Sequence, residues 1–335
     1  MIIKMKNRPV ITSFSCVGGK EEHRGPLGKA LDSYDESDKF DCDTWEKSES
    51  EMQKRAMKHL LAKRRIESGD IDLVFAGDLI NQCTSSSYGL LSFDIPYVGI
   101  FGACSTAALG MGMAASFCNA EYAKRAVAVT SSHFCSAERQ FRFPLEYGAQ
   151  RPPTAQHTAT AAAAFLIEKE GEGVTVEEFL PGVSVDAGIK DANNMGAAMA
   201  PAACDTLKRY FNESGTKPED FDLIVSGDLG YEGYKTVLDF MNRAGYSGMK
   251  SVYSDCGLMI YDRKAQDMHA GGSGCGCSAF AMAASILPDI ISGKYRDVLF
   301  LGTGALLSQA SVLQGESIPA IAHLVRLKHR EDTHE

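Results

Sequence analysis

Asp72-Leu-Val-Phe-Ala-Gly-Asp-Leu79 recurs in the second part of the chain as Asp222-Leu-Ile-Val-Ser-Gly-Asp-Leu229. Each copy is a short apolar run that ends in Gly-Asp, the pattern of a buried strand stopped by a turn. An amphipathic helix is expected ahead of each copy. The first runs through about Glu51 to Glu67, with Met52, Ala56, Met57, Leu60 and Leu61 on its apolar face. The second spans about Ala202 to Ser214, where Leu207, Tyr210 and Phe211 play that part.

The correspondence continues downstream. Gly102-Ala-Cys-Ser-Thr-Ala-Ala-Leu-Gly-Met-Gly-Met-Ala-Ala-Ser116 reads as a turn running into a small-residue helix, and so does Gly271-Gly-Ser-Gly-Cys-Gly-Cys-Ser-Ala-Phe-Ala-Met-Ala-Ala-Ser285. Each leads on to a buried strand, Ala126 to Thr130 in one copy and Val298 to Gly302 in the other. Glycine inside a helix costs about 1 kcal/mol against alanine, so these glycines need a compensating reason. Close approach of the two small-residue helices supplies one. His157 to Ile167 and Val174 to Phe179 flank the turn Lys169-Glu-Gly-Glu-Gly173 and read as a hairpin, although the alanine run also suits a helix. Ile318 to Leu327 is the matching strand of the second copy.

These patterns predict an internally duplicated α/β chain with two mixed, mainly parallel sheets and the paired helices buried between them, in αβαβα layers. The N-terminal half is expected over residues 1–195, the C-terminal half over 196–327, and a charged tail over 328–335.

Composition narrows the function. The chain has 335 residues, 44% hydrophobic and 23% charged, which is the balance of a globular protein. A formal charge of -9 without a basic block argues against nucleic acid as a partner. The start, Met1 to Lys6, is too short and too charged for a signal peptide, and no run approaches the roughly 20 apolar residues of a membrane span. Membrane association would therefore be peripheral. The ten cysteines are scattered, and Cys275-Gly-Cys277 is too tight for the usual zinc or redox spacing. They fit a reducing compartment and small buried positions, and no metal or cofactor is expected. The acidic stretch from Asp35 to Glu51 lacks the calcium-loop pattern and reads as a solvated face.

A cysteine at the start of a buried helix in a duplicated α/β frame resembles the thiolase and β-ketoacyl synthase superfamily. More closely, the chain resembles the SpoVAD family of spore-forming bacteria. The residues that carry this are Ala76-Gly-Asp-Leu-Ile-Asn-Gln82, Phe101-Gly-Ala-Cys-Ser-Thr106, Thr130-Ser-Ser-His133 and Ala137-Glu-Arg-Gln-Phe-Arg142. Met199-Ala-Pro-Ala-Ala203, Asp255-Cys-Gly-Leu-Met-Ile-Tyr261, Ala270 to Ser278 and Gly304-Ala-Leu-Leu-Ser308 complete the set. The resemblance implies a thiolase-like fold and a part in moving dipicolinic acid, as its calcium chelate, into the developing spore. It also implies a peripheral place at the spore inner membrane beside SpoVA membrane proteins, and a homodimer.

Cys104 is the first site candidate. A cysteine at a turn entering a helix lies near the positive end of the helix dipole, which is expected to favour its thiolate. Active members of the superfamily use that thiolate on acyl thioesters. They also place a histidine after the strand that here ends Ser226-Gly-Asp228, where this chain has none. His269 lies near the Gly-rich turn but upstream of the expected catalytic position. His133 is the alternative base, with local backbone satisfaction as its plainer reading. Ser131 and Ser132 are candidate donors to a carboxylate, and Asp78 is a candidate acceptor or a structural turn residue like its duplicate Asp228. Arg139 and Arg142 suit a planar dicarboxylate, or else pair with glutamates on a solvated loop. Three functions compete: a degenerate pocket that binds dipicolinate, an acyltransferase using Cys104, and a scaffold whose pocket is blocked by side chains.

Overall fold

The computed structural model describes residues 1–141 and 151–330. The first half supplies strands β1 (Val10–Gly19), β2 (Leu73–Gly77), β3 (Tyr97–Gly99), β4 (Arg125–Ser132) and β5 (Ala161–Glu168). The second supplies β6 (Val174–Leu180), β7 (Leu223–Ser226), β8 (Tyr253–Asp255), β9 (Asp297–Ala305) and β10 (Ala320–His329). Their orders are β3-β2-β4-β5-β1 and β8-β7-β9-β10-β6, the same permutation twice. In each half four strands run one way and only the fifth is reversed. The two orders join where Val10 and Ile11 pair with Thr175 and Val174, so the ladder is continuous from one half to the other.

This topology corrects the expected hairpin. Strands β5 and β6 do not pair with each other; they flank β1, which pairs with both. Because β6 lies beside β10 in the second sheet, the repeat boundary falls at the turn over residues 169–173 rather than at 195. Apolar patterning reveals a strand but does not name its partner.

Helices α1 (Trp45–Arg64) and α2 (Thr84–Leu90) cover the outer face of the first sheet. Thr44 caps α1 by accepting from the Lys47 N–H at 3.3 Å. The helix starts well before Glu51 because Ser48, Glu49 and Gln53 are polar yet buried, which hides its inner face from an apolar count. Glu49 is thus an exception to the solvated acidic face expected over 35–51. Downstream lie α3 (Thr106–Asn119), α4 (Phe134–Phe141), α5 (Met195–Ser214), α6 (Gly230–Arg243) and α7 (Cys275–Ala281). Helices α3 and α7 touch each other, and between them reach strands of both halves, so they form the central layer. The core is accordingly threefold. Met111, Phe165, Phe179, Phe280 and Phe300 pack in the middle. Met52, Met57 and Leu60 pack outside the first sheet, and Leu207, Tyr210 and Phe211 outside the second.

The helix glycines make room for strands rather than for the opposite helix. A Cβ at Gly112 would lie 2.2 Å from the Phe179 ring, and one at Gly276 would lie 2.3 Å from the Ala161 carbonyl oxygen. Gly112→Ala is therefore expected to cost about 1–3 kcal/mol by overpacking. Phe179→Leu in the same chain should recover part of that loss, because the ring is what the new methyl meets. Urea unfolding of the two single variants and the double variant tests this; simple additivity would show that the ring is not the obstacle.

Candidate functional site

The ends of β2, β4, β7 and β9 gather Gly77-Asp78, Ser132-His133, Gly227-Asp228 and Thr303-Gly304 at one edge of the fold, where ligand sites of α/β sheets collect. Cys104 enters this edge on a tight turn. Ala103 adopts a left-handed conformation, with φ 49°, and the Ser105 N–H and hydroxyl both donate to the Gly102 carbonyl, at 3.0 and 2.5 Å. Gly304 in β9 leaves space for the turn, since a Cβ there would lie 2.3 Å from the Gly102 oxygen.

Cys104 is 5% exposed. It lines a cavity of about 20 Å³ together with Leu79, Phe101, Thr158, Met195, Ser273 and Leu307. That is room for about one water molecule. The buried carboxylate of Asp228 lies close enough for its charge to act on the thiol. Asp228 accepts from Gly274 N–H at 2.8 Å, the Thr303 hydroxyl at 2.9 Å and the Ser273 hydroxyl at 3.2 Å. Burial, then the Asp228 charge, hold the Cys104 thiol well above its ordinary range. The expected thiolate is therefore corrected to a thiol: desolvation and a facing carboxylate outweigh the helix dipole. Burial pushes the Asp228 carboxyl up to about 6 against its hydrogen bonds.

The other candidates lie apart from this cavity. His133 is buried, with Nε2 2.8 Å from the Asp38 carbonyl, and Nδ1 accepts from the Cys135 N–H at 3.2 Å. Its pKa is pushed down to about 4 by burial, so it stays neutral and satisfied by backbone. Ser131 donates to Glu49 at 2.8 Å and accepts from Gln53 at 2.8 Å. Ser132 donates to the Ala159 carbonyl at 2.6 Å. Asp78 accepts from the Ile80 and Ser86 N–H groups and from the Ser86 hydroxyl at 2.6 Å, a turn role. Burial raises its carboxyl. Arg139 forms an ion pair with Glu46 on the surface. Arg142 lies outside the described residues. His269 holds the Pro152 carbonyl through Nδ1 at 2.9 Å and does not line the cavity.

The position after Ser226-Gly227 holds Asp228, and nothing in the local sequence signals that its charge acts on the Cys104 thiol. Among the described residues no cluster of three or more His, Cys, Asp or Glu is placed to hold a metal ion. Nor, among them, is any helix long and apolar enough to cross a membrane.

The family model for stage V sporulation protein AD (SpoVAD) matches residues 1–328. The chain belongs to the SpoVAD family. It is 40% identical over 316 residues to stage V sporulation protein AD of Bacillus subtilis (strain 168), covering 93% of this chain and 92% of that one. Solved structures agree on the fold. The 3-oxoacyl-[acyl-carrier-protein] synthase III of Aquifex aeolicus VF5 matches with a TM-score of 0.58 at 14% identity, over 96% of this chain and 99% of its own. Cerulenin-bound OleA of Xanthomonas campestris matches with a TM-score of 0.58 at 14% identity, over 95% of this chain and 96% of its own. At such identities the likeness establishes a thiolase-like fold alone. This member of the SpoVAD family therefore has a thiolase-like fold with a buried cysteine near a carboxylate.

Proposed function

We propose that the chain is a dipicolinate-binding protein that takes part in dipicolinic acid uptake into the developing spore, as a peripheral partner of SpoVA membrane proteins at the inner membrane. The observation that carries this reading is the burial of Cys104 in a small closed cavity, where the Asp228 charge acts on its thiol. A nucleophile kept protonated, with no histidine in the cavity wall, favours a site that holds a ligand over one that transforms it. Family membership supports the sporulation role. Calcium enters with the ligand as its chelate.

Small-molecule pockets ordinarily span about 300 Å³ or more, so the cavity must open to admit dipicolinate. Phe101, 51% exposed at its wall, and the apolar side chains of Met195 and Leu307 are the groups that would move. Strand β3 ends the ladder with its outer edge unpaired among the described residues, and Tyr88, Leu91, Tyr97 and Phe101 around it are exposed. An unpaired apolar edge of this kind suits a second copy of the chain, and a dimer formed there would border the cavity.

Calorimetric titration with dipicolinate, with and without calcium, is expected to give saturable heat. Phe101→Ala, at a half-exposed site that leaves the core intact, should weaken binding about tenfold. No saturable heat from the unaltered chain, or heat indifferent to Phe101→Ala, would count against the reading. Incubation with a panel of acyl thioesters should leave Cys104 unmodified by mass spectrometry; an adduct would establish acyl transfer instead.

A further inference from the structure

At the end of the sheets opposite the Cys104 turn, four chain segments far apart in sequence form one cleft of about 610 Å³. Strand register brings them together. Val10, just after Arg8, pairs with Thr175 of β6, and Lys328 of β10 pairs with Asp297 at the start of β9. The cleft is lined by Lys6, Arg8, Lys169, Arg296, Lys328 and Arg330, with Glu170 and Asp297 as its carboxylates. In a chain of net charge -9, this concentration of cations is local to the cleft.

The positive charge is only partly neutralised. Arg8 pairs with Glu177 at 2.7 Å and Lys169 with Glu121 at 2.8 Å. Asp297 is shared between Lys328 at 3.2 Å and Arg326 at 2.7 Å. Arg330 donates to the Gly171 carbonyl. Lys6 and Arg296 are exposed, and among the described residues neither has a carboxylate within ion-pair distance. Two cations without a carboxylate partner among the described residues, beside several partly compensated ones, exceed what a single carboxylate would balance. A phosphate group, with several charged oxygens, meets both the ammonium and the planar guanidinium donors.

We infer that this cleft binds a phosphate-bearing ligand, independently of the Cys104 cavity. The phosphate arrives either in solution or as the headgroup of an anionic bilayer, and two probes separate these sources. Inorganic pyrophosphate is titrated into the full chain by calorimetry. Vesicles of phosphatidylglycerol, with phosphatidylcholine vesicles as the uncharged comparison, are used in flotation.

Lys6→Gln combined with Arg296→Gln changes two exposed side chains and should weaken whichever binding is seen about tenfold. Lys58→Gln combined with Lys250→Gln removes the same charge from exposed positions elsewhere and should leave binding unchanged. Binding should also fall near roughly 0.5 M salt. Saturable pyrophosphate heat without flotation assigns a soluble ligand. Flotation that pyrophosphate competes away assigns the headgroup. Binding of neither probe, or equal weakening by the two variant pairs, overturns the inference. Dipicolinate titration of the Lys6/Arg296 variant should match the unaltered chain, so the fate of this cleft and that of the Cys104 site are read separately.

Discussion

Thermal unfolding at about pH 8.5 is expected to begin several degrees below its value at about pH 5.5. The cause is a set of buried carboxyls that have no ion-pair partner among the described residues. Glu49 is pushed up to about 8 by burial and then by the neighbouring Asp78 charge. Asp255 is pushed up to about 7, Glu22 to about 7 and Asp228 to about 6, each mainly by burial. A carboxyl that binds its proton more tightly in the folded chain stabilises the fold fully below its unfolded value near pH 4. That contribution declines as the pH rises from there and is gone once it passes each folded value, from about 6 for Asp228 to about 8 for Glu49.

Glu168 works in the opposite sense. Burial raises its carboxyl, but hydrogen bonds from Arg125, Thr12 and Arg64 outweigh that and leave it lowered, so its contribution fades in acid. The stability maximum should therefore be mildly acidic. Glu49→Gln keeps the shape and can still accept from Ser131, while the Ser136 hydroxyl turns to accept from the new amide. This variant should lose less between the two pH values than the unaltered chain. A flat profile, or one that rises toward pH 8.5, would show that these carboxyls are not held protonated by burial.

The same residues mark how far the sequence can be read. The duplicated Gly-Asp strands and the small-residue helices were legible because period and repetition encode burial directly. The placement of β6 was not, because a strand's own alternation is identical whichever neighbour it pairs with. Glu49 was misread for a related reason: a charged residue on a helix counts as outward unless its partners are known, and Ser131 and Ser136 come from strand β4 and helix α4, distant in sequence. Cys104 stands at the helix-start turn that its motif indicated and lines a small cavity. Its protonation was not legible, since a dipole is local whereas burial and the Asp228 charge come from the fold. The Ser131-Ser-His133 run invited a site reading by its position at a strand end. In the fold its side chains point into neighbouring elements and tie down Glu49, Ala159 and Asp38.

Alkylation of Cys104 by iodoacetamide near neutral pH is expected to be very slow in the unaltered chain and at least about tenfold faster in Asp228→Asn. Burial disfavours the thiolate in both chains, and the Asp228 charge is the next largest influence that keeps the proton on sulfur. Asparagine removes the charge at nearly constant shape. Its amide oxygen can take the Gly274 N–H, and its amide nitrogen can donate to Thr303, whose hydroxyl reverses. Asp228→Ala is a different experiment: it strands the Gly274 N–H and two hydroxyls in a dry interior and should cost about 2–4 kcal/mol. Comparing the two separates charge from structure. Peptide mass analysis must place the label on Cys104, because nine other cysteines share the chain. If Asp228→Asn folds normally and Cys104 stays as unreactive as before, access alone controls the thiol and the carboxylate is not its lock. If reactivity rises, the Asp228 charge adds to burial in keeping the Cys104 thiol protonated.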